Sequence, residues 1–289
     1  MTLDDDGAID HVPFMPEMVE LCGKRFRVSR RVVKSCYSAL GSWSTMREFP
    51  DDDVVTLDGV RCDGAAHDGC QKACMIFWRE TWLRKVESAS VPSPVDAASC
   101  ARLHARLKTS TGPNTYFCQA SEFLKATRGI DRRAQLRKSV TEVQAGNCNA
   151  LQMVRRLAIW FFWKVRRKLL GEFSKGRNGA TPTESLNLQP GEWVEVKPLE
   201  DIRATLNEEG FNRGMYFSPD LRLFCGGRYR VGGRLDKIIL DGSGKMRQLR
   251  NTVQLEGSLC GCANICLGGC SRSEVVYWRE IWLRRLQAK

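Results

Sequence analysis

The chain has 289 residues, 43% of them hydrophobic, and a formal net charge of +12. That length and apolar content exclude wholesale disorder and suffice for two or three cored domains. No stretch approaches the roughly 18–20 apolar residues of a spanning helix, and the acidic start MTLDDDGAID lacks the apolar core of a secretory signal. A reducing cytoplasm is therefore the expected compartment, where the 13 cysteines read as thiols or metal ligands rather than disulfides.

Residues 1–90 read as a first β-rich module, ending in "FWRETWLRKV" at 77–86. Residues 93–173 read as a basic helical domain. Ser93-Pro94 with Asp96 opens a helix to about Leu107, Asp131 caps one ending before Gly146, and Asn149 caps one through Leu170 that Gly171 stops. Residues 99–190 hold 17 Lys/Arg against 5 Asp/Glu, so the net positive charge lies here and the flanks cancel. In the last helix Val154, Ala158, Phe161, Val165 and Leu169 recur at helical spacing. Arg155, Arg156, Arg166 and Arg167 lie to one side, and Trp160, Phe162 and Trp163 widen the apolar surface. Three readings fit: an interfacial helix on an anionic membrane surface or partner, a core helix solvated along its arginine edge, or a nucleic-acid surface. The uninterrupted apolar run, Leu157–Trp163, is too short to span a bilayer.

Residues 174–190 read as a linker, and 191–289 as a second β-rich module. Its short strands are "WVEV" (193–196), "RYRV" (228–231), "KIIL" (237–240) and "TVQL" (252–255), with "DGSGK" (241–245) as a hairpin turn. "LEDIRATLNEEG" (199–210) reads as a short helix ending at Gly210, and "VVYWREIWL" (275–283) as a closing strand.

The second module repeats the first. Thr2–Val28 aligns without a gap on Thr205–Val231, "VVTLDGVRC" (54–62) on "TVQLEGSLC" (252–260), and "FWRETWLRKV" on "YWREIWLRRL" (277–286). Two copies of about 85–95 residues are too few for a solenoid. The fold class expected is α+β, two small SH3-like barrels separated by a basic helical insert. In the second copy "GEWVEVKPLEDIRA" precedes the matched region and supplies a first strand, whereas in the first copy the match begins at Thr2. The first module should thus lack that strand. Either the middle region or a partner covers the exposed edge, or the natural chain begins upstream of Met1.

The pattern W-V-E-V, T-L-x-x-x-G, P-x-M, C-G-x-R-F-R-V, L-E-G-x-x-C and W-R-E-x-W-L resembles an uncharacterised bacterial family with a cysteine-containing SH3-like module. The resemblance covers both modules and implies their boundaries, but no activity.

The cysteines suggest a metal. The first module offers Cys22, Cys62, Cys70 and Cys74; the second offers Cys225, Cys260, Cys266 and Cys270, with Cys262 an alternative to Cys266. Four thiolates around one structural zinc would order a glycine-rich loop that a small core cannot. Two zinc sites are expected, with an iron–sulfur cluster as the alternative. His67 is a possible substitute for one thiol. Cys36, Cys100, Cys118 and Cys148 have no repeat partner and read as packing residues. The chain therefore reads as a cytoplasmic adaptor, peripheral to a membrane or held to a partner through residues 149–171. A nucleic-acid-binding protein and a redox protein are the alternatives.

Overall fold

The structure is a computed structural model and describes residues 3–37, 45–86, 96–171, 175–262 and 266–286. It is α+β. The chain opens with a hairpin, β1 (Ala8–Ile9) and β2 (Val12–Pro13), and a helical turn, α1 (Pro16–Val19). Strands β3 (Val28–Arg31), β4 (Ser35–Tyr37), β5 (Thr45–Glu48), β6 (Val54–Leu57) and β7 (Trp78–Arg79) follow, then a 3-10 turn at Glu80–Trp82. The middle region holds α2 (Ala97–Arg106), β8 (Ser110–Gly112), β9 (Thr115–Tyr116), α3 (Gln119–Ala126), β10 (Arg128–Gly129), α4 (Arg132–Gln144) and α5 (Ala150–Leu170). The remainder runs β11 (Trp193–Val196), α6 (Leu199–Arg203), the hairpin β12 (Phe211–Asn212) and β13 (Met215–Tyr216), and a 3-10 turn at Leu221–Phe224. It ends with β14 (Arg228–Arg234), β15 (Lys237–Ile239), β16 (Met246–Gln248), β17 (Thr252–Leu259), β18 (Val275–Arg279), a 3-10 turn at Glu280–Trp282, and β19 (Leu283–Arg285).

The largest sheet has five antiparallel strands in the order β18-β17-β14-β11-β19 and curls as an open half-barrel. Its local cause is period-two alternation: Val194 and Val196 are fully buried, while Trp193 between sheet and solvent is exposed. Val231, Val253, Leu255, Trp278, Trp282 and Leu283 complete this core. A separate three-stranded sheet has the order β3-β6-β7. It covers Phe14, Met18, Val55, Leu57, Ile76 and Trp78, a cluster that also takes in Leu107, Cys118 and Ala120 from the middle region and Ile239 from beyond it.

The middle region is woven into the first sheet system. β10 adds to β5 in the sheet β10-β5-β4. Gln119 at the start of α3 donates from Nε2 to Pro13 O (2.9 Å) and Phe77 O (2.8 Å), and its Oε1 accepts from Phe77 N (2.7 Å). Beside it Phe49, Phe77 and Phe123 pack ring on ring. The helix caps follow from side-chain acceptors: Asp131 Oδ1 takes Ala134 N at 2.7 Å, and Asn149 Oδ1 takes Gln152 N at 2.8 Å. Gly171, with φ of 73°, ends α5. Met1, Thr2 and the Ser93-Pro94 start expected for α2 lie outside the described residues; Asp96 caps that helix through Ala98 N and Ser99 N.

Two elements differ from the sequence expectation. "LEDIRATLNEEG" is helical only to Arg203. The Thr205 hydroxyl turns back to Ile202 O (2.7 Å), and Asn207 Oδ1 accepts from Glu209 N and Phe211 N, so the chain leaves the helix for the β12–β13 hairpin. "VVYWREIWL" is a strand broken by a 3-10 turn. There the Glu280 carboxylate turns inward and accepts from Leu186 N (2.7 Å), Asn187 N (3.1 Å) and Leu188 N (3.1 Å), with Arg234 at 3.3 Å. This one side chain fastens residues 186–188, expected as linker, to the second sheet.

Glu80 occupies the same place in the first WRE motif but its side chain is 49% exposed, whereas that of Glu280 is 0% exposed. Identical motifs should therefore respond differently. Glu280→Ala strands three amides and is expected to cost about 3 kcal/mol or more. Glu80→Ala should cost less than about 1 kcal/mol. Urea unfolding midpoints of the two variants check this.

Candidate metal centre

The first cysteine loop folds over α1. Gly64 makes this possible: its φ is 70°, and a Cβ there would lie 2.1 Å from Cys70 O. Glu17 from α1, Cys62 and His67 bring their ligand atoms within 4.8 Å of one another. Glu17 Oε1 lies 2.6 Å from His67 Nδ1 and 3.8 Å from Cys62 Sγ. His67 Nε2 faces Phe117 O at 3.0 Å. The His67 and Glu17 side chains are buried, Cys62 is half-buried, and Glu17 Oε2 has no hydrogen-bond partner. Burial alone would raise the Glu17 carboxyl, but the hydrogen bond and charge of His67 outweigh it and hold it below the usual carboxylate value. Burial pushes the Cys62 thiol far up, with the Glu17 charge adding to it, and pushes Cys74 up to about 12. A cavity of about 20 Å³ opens beside this group, lined by Cys62, His67, Cys70, Cys74 and Cys118. That is about the room one ion or water needs. An orphaned carboxylate oxygen among thiols and an imidazole fits a soft divalent metal such as zinc.

A second thiol group lies against α4. Cys36 Sγ is 3.5 Å from Cys262 Sγ, and Cys270 Sγ accepts from Cys36 N (3.2 Å) and Arg272 N (3.3 Å). Cys260 and Cys266 pack on the same cluster with Met46 and Ile130. Hydrogen bonds with Cys260, Cys266, Cys270 and Cys36 all favour the protonated form of Cys262, raising it well above an ordinary thiol. Those from Cys262 and Cys36 hold Cys270 well below. Gly268 again allows the approach: with φ of 69°, a Cβ there would meet Ser139 Oγ at 2.0 Å. Lys34 Nζ reaches into the loop, donating to Leu267 O (2.9 Å) and Ser139 Oγ (3.2 Å).

The ligand sets expected from spacing are only partly brought together. Cys62, Cys70 and Cys74 share one cavity, and Cys260, Cys266 and Cys270 share one cluster. Cys22 and Cys225 belong to neither, which corrects the expectation that they enter the sites. Cys22 follows α1 and its Sγ turns back to Met18 O at 3.8 Å, interacting with Cys100. Cys225 caps the 3-10 turn at Leu221–Phe224, packs on the second core, and is pushed up to about 11 by burial. Cys36 and Cys118, expected as packing residues, instead face the two thiol groups. Their partners lie too far along the chain for any spacing rule to find. Glu17 did have a signal: it aligns with Asp220, and both acids accept from a cysteine-loop amide, Ala66 N at 3.3 Å and Gly261 N at 2.6 Å.

The basic helix is turned differently from the core-helix expectation. The Val154, Phe161, Val165, Leu169 stripe, read as a core face in one expectation, points to solvent. Trp160 and Trp163 point inward instead, and with Lys164 and Arg167 they line a depression against Met46, Ile130 and Leu267. Arg222 stacks over the Trp163 ring at 3.6 Å, and Arg166 lies 5.6 Å from it. Arg156 is half-buried, while Arg155 and Arg167 are exposed. Among the described residues, no helix is long and apolar enough to cross a membrane. Scans against protein-family models, curated proteins and solved structures each return no match for this chain.

Elemental analysis of the purified chain tests the first group. Cys62→Ser and Glu17→Gln are each expected to lower the bound metal content, while Cys22→Ser leaves it unchanged. Equal metal content in all three variants would remove this group as a metal centre.

Proposed function

We propose that this chain is a binding protein that seats α5 on an anionic membrane surface. In this reading two zinc-stapled SH3-like modules hold that helix outward. The observation that carries it is the outward face of α5. Leu151, Val154, Phe161, Phe162, Leu169 and Leu170 are each 60% or more exposed. At 100° per residue, all but Leu170 fall in one stripe with Ala158 and Val165. Arg155 and Arg166 border that stripe on one side and Lys168 on the other. An exposed apolar stripe of this length between basic borders is the pattern of a helix lying in a lipid interface, with side-chain cations at headgroup depth. Its inner face is held by Trp160 and Trp163, so the apolar face stays presented.

The SH3-like reading draws support from the strand order β18-β17-β14-β11-β19, the long excursion between β11 and β14, and the single 3-10 turn joining β18 to β19. The zinc reading draws support from Glu17, Cys62 and His67, whose ligand atoms lie within 4.8 Å of one another, and from the second thiol cluster. About two zinc ions per chain are expected. Cys262→Ser should remove the second and leave the first. Visible absorption by protein purified without oxygen would replace zinc with an iron–sulfur cluster.

Co-sedimentation with phosphatidylcholine vesicles, with and without phosphatidylserine, tests the lipid reading. The intact chain is expected to prefer the anionic vesicles, more weakly as salt rises. Arg155→Gln and Lys168→Gln should each weaken binding about fivefold, near 1 kcal/mol per surface charge. Phe161→Ser with Phe162→Ser should abolish it. A chain that ignores both vesicles but forms dimers lost in the Phe variant would place a second copy on this face. Preference for RNA or DNA at the same salt would favour the polyanion reading.

A further inference from the structure

The first module has a groove of about 1080 Å³ where the second has a strand. In the second module β11 lies between β14 and β19. It pairs Trp193 with Arg230, Val194 with Tyr229 and Glu195 with Arg228 on one side. On the other it pairs Val194 with Arg285, Glu195 with Arg284 and Val196 with Leu283. By the alignment, the matching edges of the first module are Arg25–Arg27 and Leu83–Lys85. Neither belongs to a strand, and Arg25, Phe26, Leu83, Arg84 and Lys85 line the one groove. Its floor is core: Phe14, Val55, Leu57, Trp78 and Trp82. Val231 is 0% exposed beneath β11, while its counterpart Val28 is 52% exposed. Among the described residues, the middle region covers one end, where Asn147 bonds Arg31 N (3.1 Å) and Arg31 O (2.8 Å).

The charges repeat as well. Glu192 and Glu195, on either side of Val194, pair with Arg285 (3.0 Å) and Arg284 (3.7 Å). Their counterparts are Lys85 and Arg84. Glu280 binds the amides of residues 186–188, and its counterpart Glu80 lines the groove beside Arg31. Among the described residues, Lys24, Arg25, Arg30, Arg31, Arg84 and Lys85 line the groove together with one acid, Glu80.

We propose that this groove accepts one extended strand of a partner polypeptide, apolar at alternate positions and acidic between them. The strand adds between residues 25–28 and residues 83–86. Main-chain hydrogen bonds to both edges hold it, and the alternate side chains fill the places that Val194 and Val196 fill in the second module. This chain's own β11 is not the occupant, because its valines are fully buried in their own sheet. The surface is separate from the outward face of α5, and its test needs neither lipid nor added metal.

A labelled peptide with the sequence of residues 184–198, ESLNLQPGEWVEVKP, stands in for the partner strand and is titrated into the intact chain by fluorescence anisotropy. Saturable one-to-one binding is expected. Peptide changes Val194→Asp with Val196→Asp should abolish it, and Glu192→Lys with Glu195→Lys should weaken it roughly tenfold. Arg84→Glu with Lys85→Glu in the chain should weaken the original peptide similarly and restore the lysine peptide. Both charged positions are on the surface, and circular dichroism checks that the variant folds. Amide exchange should slow at residues 25–28 and 83–86 when peptide is bound. No binding, binding blind to the charge swap, or protection changes confined to residues 193–196 and their neighbours would each overturn the proposal.

Discussion

Asp241 carries two buried cations, and much of the molecule is arranged around it. Lys72 Nζ lies 2.5 Å from Oδ1, and the Arg272 guanidinium lies 3.4 Å away and 2.5 Å from Glu274. Lys72 belongs to the first cysteine loop and Arg272 to the second. Burial opposes the charge of both, yet Asp241 holds Lys72, and Glu274 with Asp241 holds Arg272, well on the protonated side. A buried ion network of this kind adds little net stability but penalises any arrangement that leaves one member unpaired. Its effect is positional: it brings the two cysteine loops to one carboxylate and fixes where their thiols point. Gln71 extends the same junction, with its Oε1 accepting from Asp236 N and its carbonyl from Gln254 Nε2.

That junction also explains the electrostatics of the thiols. Five crowded sulfurs cannot all ionise together. Hydrogen bonds with Cys262 and Cys36 pull Cys270 below an ordinary thiol, and those with four other thiols push Cys262 above one. Lys34 and Arg272 stand on either side of the cluster, Lys34 through Leu267 O and Arg272 through Cys36 O. The first group differs in composition, with one carboxylate and one imidazole beside Cys62.

Much of the second module was legible in the sequence. Val194 and Val196 alternate with outward residues, Asn149 caps α5, and "DGSGK" turns between β15 and β16. Each depends on local chemistry alone. What escaped depends on distant partners. Glu280 reads as a surface acid beside an arginine until residues 186–188 supply their amides. Cys36 reads as packing until Cys262 arrives from 226 residues away. The stripe on α5 is correct in period, but period fixes only which residues share a face. Whether that face meets protein or solvent was decided by Trp160 and Trp163, which pack inward.

The two WRE motifs show what a single strand contributes. With β11 in place, Val231, Trp282 and Leu283 are sealed, Glu280 is fully buried, and Arg284 and Arg285 have acids to meet. Without it, Val28 is open to solvent, Glu80 turns to Arg31, and basic residues crowd an apolar trough. Gln119, the phenylalanine trio and the Cys62 loop hold the first sheet to its neighbours. An already supported sheet with an open edge is the condition under which strand addition needs little rearrangement. An edge held this way can accept a strand without first being unfolded, and its basic rim selects an acidic strand over a neutral one.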